Sequence, residues 1–182
     1  MSDETDQALL ERYRNGDRDA FSELVVRYQR PVYNAAFWIL RRAEDASDIT
    51  QTVFLRVAER LDEYDPKYKF FSWIYRIAVN ESLNLLRRNG REEALDDDID
   101  LPGAESASPE WQVGEAETSS RIQSALMTMT TNDRMVLTLR HFSECSYEEI
   151  GQILDLDAKT VKSRLFEARH RLAVLLQDLR RN

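Results

Sequence analysis

The sequence has almost none of the residues from which disulfide and metal sites are built. One cysteine, Cys145, excludes an internal disulfide framework, and two histidines, His141 and His170, cannot assemble a zinc-type ligand set, so neither metal nor cofactor is expected. No nucleophile with an adjacent base and no glycine-rich phosphate loop is found, which argues against an enzyme. Glycine and proline are also scarce, five and four in 182 residues. With runs rich in Leu, Ala, Arg and Glu and no sustained period-two alternation, that scarcity predicts an all-α chain. No apolar run approaches the roughly 18 residues of a membrane span. The acidic start MSDETDQ lacks the basic and apolar parts of a signal peptide. These features predict a cytoplasmic protein with no membrane insertion.

What is present is charge, unevenly spread. The net of −8 would argue against nucleic-acid binding if it were uniform. Residues 1–91 hold 15 basic and 15 acidic side chains, residues 92–120 none and 10, and residues 121–182 10 and 8. The middle segment therefore supplies more than the whole net charge. Its composition, with Pro102, Gly103, Pro109 and Gly114 and no helical period, reads as an acidic linker in which Trp111 could mark a docking point. A structureless stretch of 29 residues is too long for the inside of one compact domain. Two small helical domains are expected, 1–91 and 121–182. Fully extended, the linker would span on the order of 100 Å, at about 3.5 Å per residue.

In the first domain the sequence predicts helices over roughly 5–15, 17–41, 45–63 and 70–89. Asp17 is placed to cap the second, Pro31 to kink or restart it, and Asp65-Pro66 to separate the third from the fourth. Phe21, Leu24, Val25 and Tyr28 recur at helical spacing, as in a small bundle. On the third helix Val53, Val57 and Leu61 form an apolar stripe, with Asp45, Asp48, Gln51 and Thr52 largely away from it. That polar face is either solvated or, given Phe54 off the stripe, part of a protein interface. On the fourth, Phe70, Ile74, Ile77, Ala78 and Leu85 form the core face, while Trp73, Arg76, Asn80, Asn84, Arg87 and Arg91 share another arc. Such an arc is a solvated face or a nucleic-acid surface, where guanidinium groups hold phosphate, amides read base edges and an aromatic stacks on a base.

The second domain shows a helix-turn-helix pattern. Helices are expected near 119–129 and 132–142, then over SYEEIGQIL, and from Ala158 through Leu179 after a break at Asp155-Leu156-Asp157. Ser146 and Glu149 form a capping box and Asp157 caps the last helix. Val161, Leu165, Ala168, Leu172, Leu175 and Leu179 give that helix one apolar stripe, with Ile150 and Ile153 opposite. Lys159, Lys162, Ser163, Phe166, Arg169 and His170 are left to project outward, with Thr160, Arg164 and Arg171 on the flank, a set suited to a major groove. Phe166 either contacts DNA or packs on the other domain.

The whole arrangement resembles the extracytoplasmic-function sigma factors, the group 4 members of the sigma-70 family. DITQTVFLRVAERL and FFSWIYRIAVNESLNLLRR are similar to the family's region 2, and SYEEIGQILDLDAKTVKSRLFEARHRL to its region 4. The resemblance implies a transcription initiation factor that binds RNA polymerase core and promoter DNA and is held in check by an anti-sigma factor. It implies that Asp45, Asp48, Gln51 and Phe54 bind the polymerase core. Minus-10 DNA would fall to Lys67, Lys69, Trp73, Arg76, Asn80, Asn84 and Arg87, with the Tyr64–Lys69 loop forming a pocket for a flipped base. Minus-35 DNA would fall to Lys159, Thr160, Lys162, Ser163, Arg164, Phe166 and Arg169. The linker would thread near the active centre, and the free chain would be a monomer.

Three departures stand out. Asp155 occupies a turn position where the family has glycine or a small residue, and Asp157-Ala158-Lys159 replaces a Pro-x-Gly-like start. Gly151 replaces a usual alanine and is expected to loosen its helix by up to about 1 kcal/mol. Two other readings share parts of the pattern: a sigma mimic that occupies an anti-sigma factor without needing a basic recognition helix, and a dimeric helix-turn-helix regulator, which would have no use for the linker.

Overall fold

A computed structural model of the chain describes residues 4–89 and 116–181. Among them lie eight α-helices, one short 3-10 turn and no strand. The first half comprises α1 (Asp6–Arg14), α2 (Arg18–Leu40), α3 (Ala43–Glu59), the 3-10 turn Leu61–Glu63 and α4 (Phe70–Arg88). The second comprises α5 (Ala116–Thr128), α6 (Thr131–His141), α7 (Tyr147–Leu154) and α8 (Ala158–Arg181). The expected linker, Trp111 included, lies outside the described residues up to 115, and residues 116–120 already belong to α5.

Local chemistry sets the helix ends. The Asp17 carboxylate accepts from the Asp19 amide at 3.0 Å and starts α2. Ser146 and Glu149 form the reciprocal capping box of α7, with bonds of 3.1 and 2.7 Å. Asp157 accepts from the Thr160 amide at 2.8 Å and starts α8. One expectation needs correcting: α2 runs through Pro31 without restarting. The proline removes one helical amide, but Tyr28 and Val32, buried on either side of it, hold the helix together by packing.

In the first half α2, α3 and α4 pack on one another, with Leu24, Val32, Val53, Val57, Ile74 and Ala78 fully enclosed. α1 lies against α2, where Asp6 takes hydrogen bonds from Tyr28 and, at 2.6 Å, from Arg27. In the second half α8 lies across α5, α6 and α7 through Val161, Leu165 and Ala168. The halves are also packed together, α2 against α6 and α4 against α7. One apolar cluster therefore runs through both. Ala35–Leu40, the end of α2, is buried at every position. A helix apolar all round must be covered on all sides, and α6 supplies the cover that α3 and α4 do not.

Candidate protein and nucleic-acid interfaces

The polar face of α3 is directed outward. Asp48 and Gln51 are exposed, while Thr52 and Phe54 are half-buried, Phe54 against the core. Asp45 is half-buried and paired with Arg42 at 3.5 Å. Leu55 was not anticipated: it is 65% exposed, on the same face as Asp48, Gln51 and Thr52. Its signal was the spacing of seven from Asp48, which puts a large apolar side chain in the middle of a polar surface. An uncovered leucine framed by polar groups is how the centre of a protein interface is built.

On α4 the exposed positions are Arg76, Asn80, Asn84, Arg87 and Arg88, and half-buried Trp73 joins the arc of the first four. Arg76, Asn80, Asn84 and Arg87 fall in the single arc expected. The core face is shifted from the expected stripe: Phe70, Ile74 and Ala78 are buried together with Tyr75, Val79 and Leu86, while Ile77 and Leu85 are only half-buried at its edge. Trp73 leans on Tyr64 and Phe70, with ring centroids at 5.5 and 5.9 Å, so it forms a fixed shelf beside the polar strip. Arg87 donates to the Asn84 side chain at 3.3 Å.

Beside that shelf the loop before α4 borders an open cavity of about 380 Å³, lined among others by Asp6, Tyr28, Tyr64, Lys67, Lys69 and Phe71. Two internal bonds shape the loop: the Tyr64 hydroxyl donates to the Tyr68 carbonyl at 2.7 Å, and the Lys67 amide to the Asp65 carboxylate at 3.0 Å. Burial, reinforced by Asp6, pushes the Tyr28 phenol up, so it stays a proton donor at the cavity wall. Two lysines, an acceptor and aromatic faces suit a single nucleobase attached to its phosphate. Lys67 is exposed. Lys69 is engaged with Glu149 of α7 at 2.6 Å.

On α8, Lys159, Lys162, Ser163, Arg164, Phe166 and Arg169 are all exposed, Phe166 at 74%, so its ring is not used against the other half. Thr160 is tied into the helix start, its hydroxyl donating to Asp157 at 2.6 Å. Arg169 donates to the His141 ring at 3.3 Å. Burial, with Arg169 and Arg140 nearby, lowers the pKa of His141 and keeps that ring a neutral acceptor. Arg171, expected on the flank of the basic face, instead grips buried Asp133 of α6 with two bonds of 2.7 Å. It ties α8 to α6.

Among the described residues no group of His, Cys, Asp and Glu is arranged to hold a metal ion, and no helix is long and apolar enough to cross a membrane. Residues 24–92 match the family described as Sigma-70 region 2, and residues 119–172 that described as Sigma-70, region 4. The chain belongs to the sigma-70 family. Within it, this sigma factor falls among the extracytoplasmic-function members. It is 34% identical to the ECF RNA polymerase sigma-E factor of Escherichia coli, over 96% of each chain. Of solved structures, CnrH in complex with the cytosolic domain of CnrY superposes with a TM-score of 0.71 at 26% identity, covering 96% of this chain and 99% of that one. RpoE in complex with the anti-sigma factor NepR, from Bartonella quintana, shares the fold with a TM-score of 0.71 at 22% identity, covering 86% and 96%. Sigma factors are initiation factors, not enzymes, in keeping with a surface built for binding.

Proposed function

We propose that this sigma factor engages polymerase core through the outward face of α3, with Asp48, Gln51 and Leu55 at its centre and Asp45 and Phe54 at its edge. The strip Trp73, Arg76, Asn80, Asn84 and Arg87 receives single-stranded minus-10 DNA, and the cavity beside it, with Lys67 and Lys69, takes one flipped base. Lys159, Lys162, Ser163, Arg164, Phe166 and Arg169 enter the major groove of the minus-35 element, with Thr160 at the rim. The two helical halves, 1–91 and the part from α5 onward, are the two reading heads, and the acidic stretch 92–115 connects them. The protein works in the cytoplasm, where polymerase and template are, and is restrained by an anti-sigma factor, as the RpoE relative is found with one.

The observation that carries this reading is the strip on α4. Every exposed side chain on that helix between Arg76 and Arg87 is an arginine or an asparagine, and the strip ends at an aromatic shelf and a base-sized cavity. Capture from an opened strand is cheaper than extrusion from duplex, and stacking contributes about 1–3 kcal/mol per base. The test is transcription in vitro from genomic fragments with purified core polymerase of the source bacterium, mapping RNA 5′ ends. Protein-dependent starts sharing two upstream elements are expected. Active core with no new starts overturns the reading.

A further inference from the structure

The basic face of α8 carries one acid. Between Ala158 and Arg171 the chain has five lysines or arginines and a single carboxylate, Glu167. Glu167 follows Ser163 by one helical turn and adjoins Phe166, so it stands on the outward side, about 160° round the helix from buried Leu165. Its side chain is 57% exposed. Ser163, Phe166 and His170, which surround it, are exposed as well.

Packing does not account for this residue. Among the described residues its one ion pair is with Arg171, at 3.7 Å. That guanidinium already gives two bonds of 2.7 Å to Asp133, which hold it without Glu167. An exposed pair at such a distance contributes little to stability.

A carboxylate on a surface that enters DNA is unfavourable unless something compensates it. A duplex carries one negative charge per about 1.7 Å of axis, and a further negative group among the phosphates is repelled. A hydrogen-bond donor on a base edge offsets that repulsion. In the major groove the donors are the amines of cytosine and adenine. The adenine amine lies beside the N7 acceptor, which repels a carboxylate, whereas the cytosine amine has a carbon neighbour within its own ring. Guanine and thymine present acceptor oxygens, O6 and O4, at the same place.

We propose that Glu167 is a specificity-determining residue of α8: its carboxylate accepts from the amine of one cytosine in the minus-35 duplex and turns away the other three bases at that position. The inference rests on the reading that α8 enters the major groove of that element. Lys159, Lys162, Arg164 and Arg169 supply the attraction to phosphate, which carries no sequence information, and Glu167 decides on which sequence those cations settle.

The test is promoter selection by holoenzyme, assembled from core polymerase of the source bacterium and the full-length chain. The template is a genomic promoter found for this protein, with its minus-35 element randomised, and the transcribed templates are sequenced. Wild type is expected to enrich cytosine about tenfold over the other bases at one position of one strand. Glu167→Ala should abolish the preference at that position and leave the remaining positions unchanged. Glu167→Gln, whose amide accepts and donates side by side, should shift it to adenine. Because Glu167 is exposed and Asp133 keeps Arg171 in place, both variants should retain the wild-type Tm. The same cytosine preference in Glu167→Ala, with every sequence used more readily, overturns the inference and makes Glu167 a repelling surface charge. A wild-type profile that favours no cytosine overturns it too. Absence of enrichment at every position, in wild type as in the variants, sinks the minus-35 role of α8 itself and the inference with it.

Discussion

Arg134 caps α2 from 96 positions away: its Nε–H donates to the Trp38 carbonyl at 2.7 Å, where a helix end has a carbonyl lacking its own donor. The cation also sits at the negative end of the α2 dipole. Burial without a carboxylate on its own nitrogens holds the guanidinium down at about 9, still charged at neutral pH. Arg134→Leu strands three buried acceptors, those of Trp38, Met129 and Thr131. A loss of about 2–4 kcal/mol is expected in urea unfolding. A loss under 0.5 kcal/mol would mean that water replaces the bonds.

Arg169 and Arg171, two residues apart on α8, should separate cleanly. Arg169→Ala removes an exposed phosphate-range cation. It should weaken minus-35 duplex binding roughly tenfold and reduce the salt slope by about 1, with stability unchanged. Arg171→Ala strands the buried carboxylate of Asp133 and should cost about 1–3 kcal/mol of stability with little change in the salt slope. Reversal of the two patterns in paired titrations and melts would refute the assignment of Arg171 to packing.

Gly151 reverses an expectation. Helix propensity favours alanine there, but a Cβ would lie 2.5 Å from the Leu156 carbonyl oxygen, a backbone atom that cannot swing aside. Gly151→Ala is therefore expected to destabilise by about 1–3 kcal/mol despite the propensity gain. A rise in Tm would show that the turn yields.

The Lys69–Glu149 contact gives the packing of α7 against α4 a pH dependence. Burial alone would raise the Glu149 pKa, but the Lys69 ammonium and the Ser146 amide and hydroxyl outweigh it and hold the carboxyl below its ordinary 4.5. A lowered acid contributes stability fully above the ordinary value, and that contribution is lost as pH falls through the lowered one. Scattering-derived radius measured from pH 6 downward should expand later in wild type than the remaining carboxylates alone dictate. Glu149→Gln should lack this step, and identical titrations of the two proteins would mean that the Lys69–Glu149 pair adds nothing to the packing of α7 on α4.

Much of this was legible in the sequence, for a physical reason. The exposed strip of α4 and the start of α8 are set by helical periodicity and by caps within four residues, so Arg76, Asn80, Asn84, Ser146 and Asp157 were placed correctly from spacing alone. Contacts between distant segments have no such local signature. Arg134 reads as one more surface cation until Trp38 is seen above it. Leu55 reads as part of an apolar helix until its neighbours prove to face outward. The closure of the halves did leave a trace, in the all-round apolar run Ala35–Leu40, which is too hydrophobic for a helix covered on one side only.

The turn between α7 and α8 bears on how this protein can change over generations. Asp155 adopts a left-handed conformation at φ 56, and the chain then brings the Leu156 carbonyl into the space beside Gly151. A descendant that gains a methyl group at 151 must find another path for the turn, and one that relaxes the turn no longer needs the glycine. The two sites are thus free to drift only as a pair, and each lineage's choice at one restricts the angle at which α8 leaves α7.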